Sequence, residues 1–377
     1  MEHSLSKTEA GQTTSQAAPS APTSKSLYIN YVRAIAACAV VQMHTNGAYL
    51  FTFDPAVPTD PLFVTADVFY SLLRWATPFF IMISGAMLIR PASKETTREF
   101  LLKRLRRVVA PFALWGLVYL LYPFRFDFVN RTPIDWSRMA QAFLYEDIYF
   151  HLWFIPMIVG MYLLTPVLRV FTRTATRKEL EYFLIVIFVS NAGHHFFPNL
   201  LVIKHFSWLG YLGYYLLGYY LNTYSIDKQV FKKIYWLGLC MPLINAFGTW
   251  WLSVQKGAYN EILFVYASPT VLFTTMALFL FLQNQDWDAF ARRRPRIHLA
   301  VMYLANLSFG VYFAHPLILD ALKNGYFFGL FVSPQDFFGL QLHPAIAGIL
   351  VSTMAILLSV GLITLMRKWG LLKNWAM

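Results

Sequence analysis

Long apolar runs alternate with short polar and basic segments along almost the whole chain. Ten of these runs are long enough to cross roughly 30 Å of hydrocarbon as a helix of about 20 residues. The pattern therefore predicts an all-α polytopic membrane protein with about ten transmembrane helices in one bundle. The predicted spans lie near residues 27–50, 66–89, 108–124, 148–168, 180–197, 206–223, 234–254, 262–283, 299–322 and 344–366.

The first 26 residues have a different character from the rest. They are rich in Ser, Thr, Ala, Gln and Pro and contain no Phe, Trp or Tyr. Such a segment buries too little apolar surface to fold, so residues 1–26 are predicted to form a disordered tail before a membrane domain at 27–377. A basic segment followed directly by an apolar core, as a secretory signal requires, is missing from this stretch.

Composition and charge agree with a membrane location. Of 377 residues, 57% are hydrophobic and only 13% are charged, whereas soluble proteins have about 25% charged residues. The predicted spans divide the Lys and Arg residues outside them into 23 on the side of the N-terminal tail and six on the other. The positive-inside rule then places both termini in the cytoplasm. The net charge of +12 therefore does not require a nucleic acid as partner.

Two ionisable residues of the first span share one helix face. Arg33 and His44 are eleven residues apart, which corresponds to a rise of ~16.5 Å and to within ~20° of whole turns. A lone Arg near a helix end often snorkels, and a lone His is often a packed hydrogen-bonding residue. The presence of both residues on one helix face, with polar neighbours, favours a cavity lined by this helix. These neighbours are Gln42, Thr45 and Asn46. A neutral imidazole is suited to act as a general base.

Further polar residues follow in and after the second span. Arg74 precedes Pro78, and the run ends at Ser84 and Gly85. Ionisable residues inside a bilayer are costly and are therefore functional candidates. On the cytoplasmic side there is a run of basic residues that acts either as a positive-inside anchor or as a clamp for a phosphorylated ligand. This run contains Lys103, Arg104, Arg106 and Arg107.

Three residues are predicted near the outer ends of later spans. His151 and Trp153 begin the fourth span, and His315 lies in the outer half of the ninth. The histidines at 194, 195 and 205 have no carboxylate beside them, so no metal is expected.

These residues resemble those of a known family. Arg33 and His44 have the Arg-x10-His spacing of the membrane-bound acyltransferase-3 family, and the resemblance covers nearly everything from residue 27 onward. The chain is most similar to O-acetyltransferases of bacterial surface polysaccharides. The other matching motifs are FFIMISG at 79–85, the basic run ending in Arg107-Val-Val-Ala-Pro111, HLWFIPMIVGMYLLTP at 151–166, GYLGYYLLGYYL at 210–221 and SFGVYFAHP at 308–316.

The resemblance implies transfer of an acyl group, usually acetyl, from cytoplasmic acyl-CoA to an acceptor hydroxyl. The acceptor would be a cell-surface glycan or its lipid-linked precursor, at a bacterial cytoplasmic (inner) membrane. In the family His44 corresponds to the central catalytic residue, and Arg33 belongs with it. The basic run from Lys103 to Arg107 would hold the CoA phosphates. Acetyl-CoA is the expected donor, membrane lipid surrounds the chain, and polysaccharide-assembly proteins are candidate partners.

We assign the remaining roles as hypotheses. Arg74, Ser84 or Asn46 would donate a hydrogen bond to the oxyanion of the tetrahedral intermediate. The acceptor side would be lined by His151, Trp153 and His315.

Two other functions remain open from the sequence. One is a transporter of lipid-linked glycans or small anions, and the other is a relay that hands the acyl group across the membrane to a separate partner. Consumption of acyl-CoA separates an acyltransferase from a transporter.

Overall fold

The computed structural model describes residues 24–90, 93–125, 148–197, 210–326, 329 and 331–369, with single positions between 130 and 141. Residues 1–23 of the predicted tail at 1–26 lie outside the described residues, and residues 24–26 belong to the first helix. The described helices are α1 Ser24–Gly47, α2 Pro61–Leu73, α3 Ala76–Leu88, α4 Thr97–Leu121, α5 Phe154–Thr174, α6 Arg177–Phe196, α7 Gly210–Thr223, α8 Lys228–Lys256, α9 Pro269–Gln283, α10 Trp287–Arg293, α11 Pro295–Lys323 and α12 Pro344–Lys368.

The prediction of an all-α polytopic membrane protein is confirmed. Each of the ten predicted spans contains a helix, and β-structure in the described part of the chain is limited to isolated bridges within residues 332–340. Six helical segments are long and apolar enough to cross a bilayer by length and composition. These segments are Pro61–Leu88, Thr97–Phe124, Phe154–Thr174, Lys228–Lys256, Pro295–Lys323 and Pro344–Lys368.

The second span is broken into two helices, which the sequence analysis did not predict. α2 ends at Leu73 and α3 begins at Ala76, with Arg74 between them. The ring of a proline clashes with the carbonyl four residues earlier, and for Pro78 that carbonyl belongs to Arg74. Pro78 is accommodated because it lies in the first turn of α3, where backbone N–H groups have no partner within the helix. The break places Arg74 at a helix end.

The helix of the third span begins at Thr97, well before the predicted start near residue 108. Thr96 and Glu99 form a capping box, in which each side chain accepts a hydrogen bond from the backbone N–H of the other residue. This cap stabilises the first turn of α4. The basic run predicted to be a loop is therefore helical, and its residues are distributed around the helix.

Glycines allow α3 and α7 to pack at very short distance. A Cβ built on Gly85 would lie 1.8 Å from the carbonyl oxygen of Tyr215, and one on Gly218 would lie 2.0 Å from that of Met82. Small residues permit such backbone approach between membrane helices. The glycines of FFIMISG and GYLGYYLLGYYL thus have a packing role.

Helix α1 packs against several helices, with α11 parallel to it and α12 antiparallel. Tyr31 Oη lies 2.8 Å from His298 Nδ1, and His44 Nδ1 lies 2.8 Å from His315 Nε2. Both contacts advance in the same chain direction, so α1 and α11 run in parallel. This arrangement brings residues of the first and ninth spans together in the middle of the bundle.

Candidate active site

One cavity of about 1240 Å³ connects residues from both ends of the bundle. Arg33 and Arg107 line it at the end where the basic segments lie, which we call the basic end. Tyr49, Glu261 and Ser333 line it at the opposite end. A cavity that spans this length has room for two ligands whose reacting groups meet between the ends.

His44 lines this cavity and is paired with a second histidine. Its Nδ1 lies 2.8 Å from Nε2 of His315, and the two rings are stacked with centroids 5.1 Å apart. His315 is fully buried and does not itself line the cavity. The structure therefore places His315 behind His44, whereas the sequence analysis placed it on the acceptor wall.

The hydrogen bonds assign the tautomers of this pair. Nδ1 of His315 lies 2.9 Å from the carbonyl oxygen of Val311, which can only accept, so that nitrogen carries the proton. Nε2 of a neutral His315 is then an acceptor, and Nδ1–H of His44 donates to it. Nε2 of His44 is left unprotonated. A histidine in this state can remove a proton from a substrate hydroxyl.

Arg74 is held beside the same cavity by groups from two other segments, the loop before α9 and helix α1. Its Nε donates to the carbonyl oxygen of Phe264 at 2.5 Å, and its guanidinium lies 4.0 Å from the ring centroid of Tyr266. Its Nη1 lies 4.0 Å from the sulfur of Met43, one residue before His44. These contacts fix a cation close to the histidine pair, where it can stabilise developing negative charge.

Ser84 and Asn46 were the other predicted donors to an oxyanion. Ser84 lines the cavity, but its hydroxyl already donates to the carbonyl of Phe80 at 2.8 Å. Asn46 does not line the cavity and donates to the carbonyl of Gln42 at 2.9 Å. Its amide lies against Gly348 of α12, because two residues turn a helix by about 200° away from His44. Arg74 is the best placed of the three.

His151 and Trp153, which were predicted on the acceptor side, both line the cavity. His151 is 2% exposed, and neither ring nitrogen has a hydrogen-bond partner among the described residues. Its ring centroid lies 5.8 Å from that of His315. Trp153 lies beside Tyr211 and Tyr266, at centroid distances of 5.5 and 5.8 Å. Unpartnered imidazole nitrogens next to aromatic faces can bind a polar ligand with apolar faces.

The basic run contributes three of its four predicted residues to the cavity. Lys103, Arg104 and Arg107 line it, whereas Arg106 is exposed and does not. Nε of Arg104 is buried and has no hydrogen-bond partner in the described part of the chain. Lys103 lies 4.0 Å from a carboxylate oxygen of Glu95.

Two other arginines line the same end. Arg33 makes long contacts with neutral atoms, at 3.5 Å to Asn30 Oδ1 and 3.6 Å to the sulfur of Met87. Arg367, at the end of α12, also lines the cavity and donates to the carbonyl of Asn306 at 2.9 Å. Arg367 was not among the predicted site residues, because the positive-inside rule alone already explains a basic residue at the end of a span.

Comparison with known proteins gives one match. The family model of an acyltransferase domain, Acyl_transf_3, matches residues 26–366. Neither a curated protein nor a solved structure matches the chain. The matched range covers every described helix apart from the first residues of α1 and the last of α12, including the histidine pair and the basic run. The chain therefore belongs to the acyltransferase-3 family of membrane acyltransferases.

Proposed function

We propose that this protein transfers an acetyl or other acyl group from acyl-CoA to a hydroxyl of a cell-surface glycan or its lipid-linked precursor. The observation that carries the proposal is His44, backed by His315, in a cavity that continues to five cationic side chains at the basic end. By the positive-inside rule, that end would face the cytoplasm across a bacterial inner membrane, and acyl-CoA is available on the cytoplasmic side. The chain's own residues supply the base, the oxyanion donor and both binding regions.

The donor would enter from the basic end. Among the described residues that line the cavity, the carboxylates are Glu261 and Asp320, and both lie towards the opposite end. Lys323 is the one lysine that the described residues place at that opposite end, where both carboxylates lie, so phosphate groups are attracted more strongly to the basic end. Guanidinium forks also match the geometry of phosphates. The thin arm of CoA would reach inward along the face of α1 from Arg33 to His44.

In the proposed acyl transfer, one proton moves from the acceptor hydroxyl to His44 and then to the leaving thiolate. Nε2 of His44 takes the proton of the acceptor hydroxyl as its oxygen attacks the thioester carbon. Arg74 donates to the oxyanion of the tetrahedral intermediate. The intermediate collapses, the carbon–sulfur bond breaks, and His44 returns the proton to the CoA thiolate. The products are an O-acyl ester and free CoA.

The acceptor would occupy the opposite end. Trp153, Tyr211 and Tyr266 form a cluster of rings there, with centroids 5.5 to 6.2 Å apart. Aromatic faces pack against the apolar faces of sugar rings, and the unpartnered nitrogens of His151 can bind a sugar hydroxyl.

The donor site can be tested without knowing the acceptor. We would follow the thermal midpoint of the purified protein with acetyl-CoA, CoA and dephospho-CoA, because a ligand that binds only the folded state raises the midpoint with concentration. We expect a rise that is weaker in Arg104→Ala and unchanged in Arg106→Ala, the matched control on the same helix. Absence of any shift at millimolar CoA would reject the donor site and favour the transporter.

A further inference from the structure

A buried carboxylate lies in α2, and the proposed reaction does not use it. Asp67 is 3% exposed, does not line the cavity, and its Oδ1 has no hydrogen-bond partner among the described residues. A carboxylate inside a membrane span is costly unless something compensates its charge. Its environment is therefore informative.

Ser71 lies one turn further along the same face of α2. It is 2% exposed, and its hydroxyl also lacks a partner in the described chain. Other buried helical hydroxyls in this protein donate to the carbonyl four residues earlier, as Thr165 and Ser359 do at 2.8 and 2.7 Å. The hydroxyl of Ser71 makes no such bond, so it is available to a group outside its own helix.

Helix α8 packs against α2 and also carries buried polar side chains. The indole nitrogen of Trp250 donates to the carbonyl of Pro58 at 3.0 Å, which joins α8 to the start of α2. On the buried face of α8, Asn245 is 1% exposed and Thr249 is fully buried. Oδ1 of Asn245 and Oγ1 of Thr249 have no hydrogen-bond partner among the described residues.

The loop after α8 places Asp67 near this part of α8. Burial raises the pKa of Tyr259, and the neighbouring Tyr70, Glu261 and Asp67 act in the same direction while Arg74 opposes them. The backbone N–H of Asn260, which follows Tyr259, donates to the hydroxyl of Ser253. Ser253 lies one turn beyond Thr249. Asp67 therefore lies near a loop that folds back on the outer half of α8.

We propose that the seam between α2 and α8 binds a monovalent cation such as Na⁺, with Asp67 as the charged ligand and Ser71, Asn245 and Thr249 as neutral oxygen ligands. Carboxylate, hydroxyl and amide oxygens are the ligands that hard cations prefer. A single carboxylate balances a single positive charge, whereas a divalent ion would leave a buried net charge. An ion between the helices would satisfy oxygens that no described protein group reaches.

The site would also stabilise the position of Arg74. Tyr70 and Arg74 follow Asp67 at three and seven residues along α2, and both line the cavity. Fixing α2 against α8 therefore holds the helix end that carries the proposed oxyanion donor.

The thermal midpoint of the purified protein tests this proposal without any substrate. We would titrate NaCl against choline chloride at constant ionic strength, for the wild type and for Asp67→Asn. We expect a saturable, sodium-specific rise in the wild type that Asp67→Asn loses. Asp54→Asn, at an exposed loop position, is the matched control and should keep the rise.

A second variant covers the case in which Asp67→Asn fails to fold. Thr249→Val keeps the side-chain shape and removes one ligand oxygen, so it should need about tenfold more sodium for half of the shift, equivalent to about 1.4 kcal/mol. An equal response to choline and sodium would overturn the proposal, as would a sodium response that persists unchanged in both variants. The first result would indicate that water rather than sodium occupies the seam. The second would indicate that sodium binds elsewhere in the protein.

Discussion

The two ends of the cavity are built from different chemistry. Among the described residues, the basic end is lined by five cationic side chains, whereas the opposite end has one, Lys323, beside the carboxylates of Glu261 and Asp320 and many aromatic rings. Guanidinium groups attract phosphates over several ångströms, and salt screens this attraction. Aromatic rings stabilise a ligand only by direct contact. Under the proposed function, this difference would separate a site for an anionic donor from a site for an acceptor with apolar faces, with the histidine pair between them.

The largest effect is expected from His44→Ala. Loss of the general base should lower kcat by about 10³-fold. Binding of CoA at the basic end should persist, because no basic-end side chain is removed. Acyl transfer from radiolabelled acetyl-CoA and the CoA-dependent thermal midpoint measure the two quantities on one sample. An active His44→Ala variant would contradict the proposed mechanism.

The next effect is expected from Arg74→Gln. Removing the cation that stabilises the oxyanion should lower kcat by about 10²-fold, with a smaller change in the KM for acyl-CoA. Steady-state kinetics separate the two constants. A change confined to the KM for acyl-CoA would show that Arg74 belongs to the donor site.

His315→Phe keeps a ring beside His44 but removes the acceptor of its Nδ1–H. The tautomer of His44 is then no longer fixed, and we expect kcat to fall about tenfold or more while both KM values change little. His315→Gln, which can still accept a hydrogen bond, should retain more activity than His315→Phe. If the two variants are equally active, His315 acts only through packing.

The smallest effect is expected at the acceptor end. Trp153→Ala should raise the KM for a glycan acceptor about tenfold, equivalent to about 1.4 kcal/mol of lost contact, and should leave the CoA midpoint shift unchanged. Trp251→Ala, at a position that is 49% exposed on α8, is the control and should change neither. A weaker CoA shift in Trp153→Ala would mean that the two ends are not separate sites.

Several features of the structure follow from local pattern alone, although of those below only the shared face of Arg33 and His44 was predicted. The helical positions of Arg33 and His44 follow from their spacing, and both residues line the cavity. The broken helix before Pro78 could have been inferred from the clash of the proline ring with the carbonyl of Arg74. The early start of α4 was signalled by Thr96 and Glu99, which match the capping-box pattern.

Other features could not be predicted from one segment at a time. Asn46 is two residues from His44 but packs against α12, and Arg106 is next to Arg107 but lies outside the cavity. The roles of neighbours on a helix diverge because each successive residue turns by about 100°. The face of a helix that lines the cavity depends on how the surrounding helices pack.

The sequence by itself determined the membrane class, the ten helical segments, the distribution of basic residues and the face shared by Arg33 and His44, since all of these follow from hydropathy, charge and helical period. Tertiary structure alone decided that His315 lies behind His44. Their contact joins residues 271 positions apart, and it depends on the parallel packing of α1 and α11. Side-chain pairing across helices has no period within one segment, so local physical rules could not supply it.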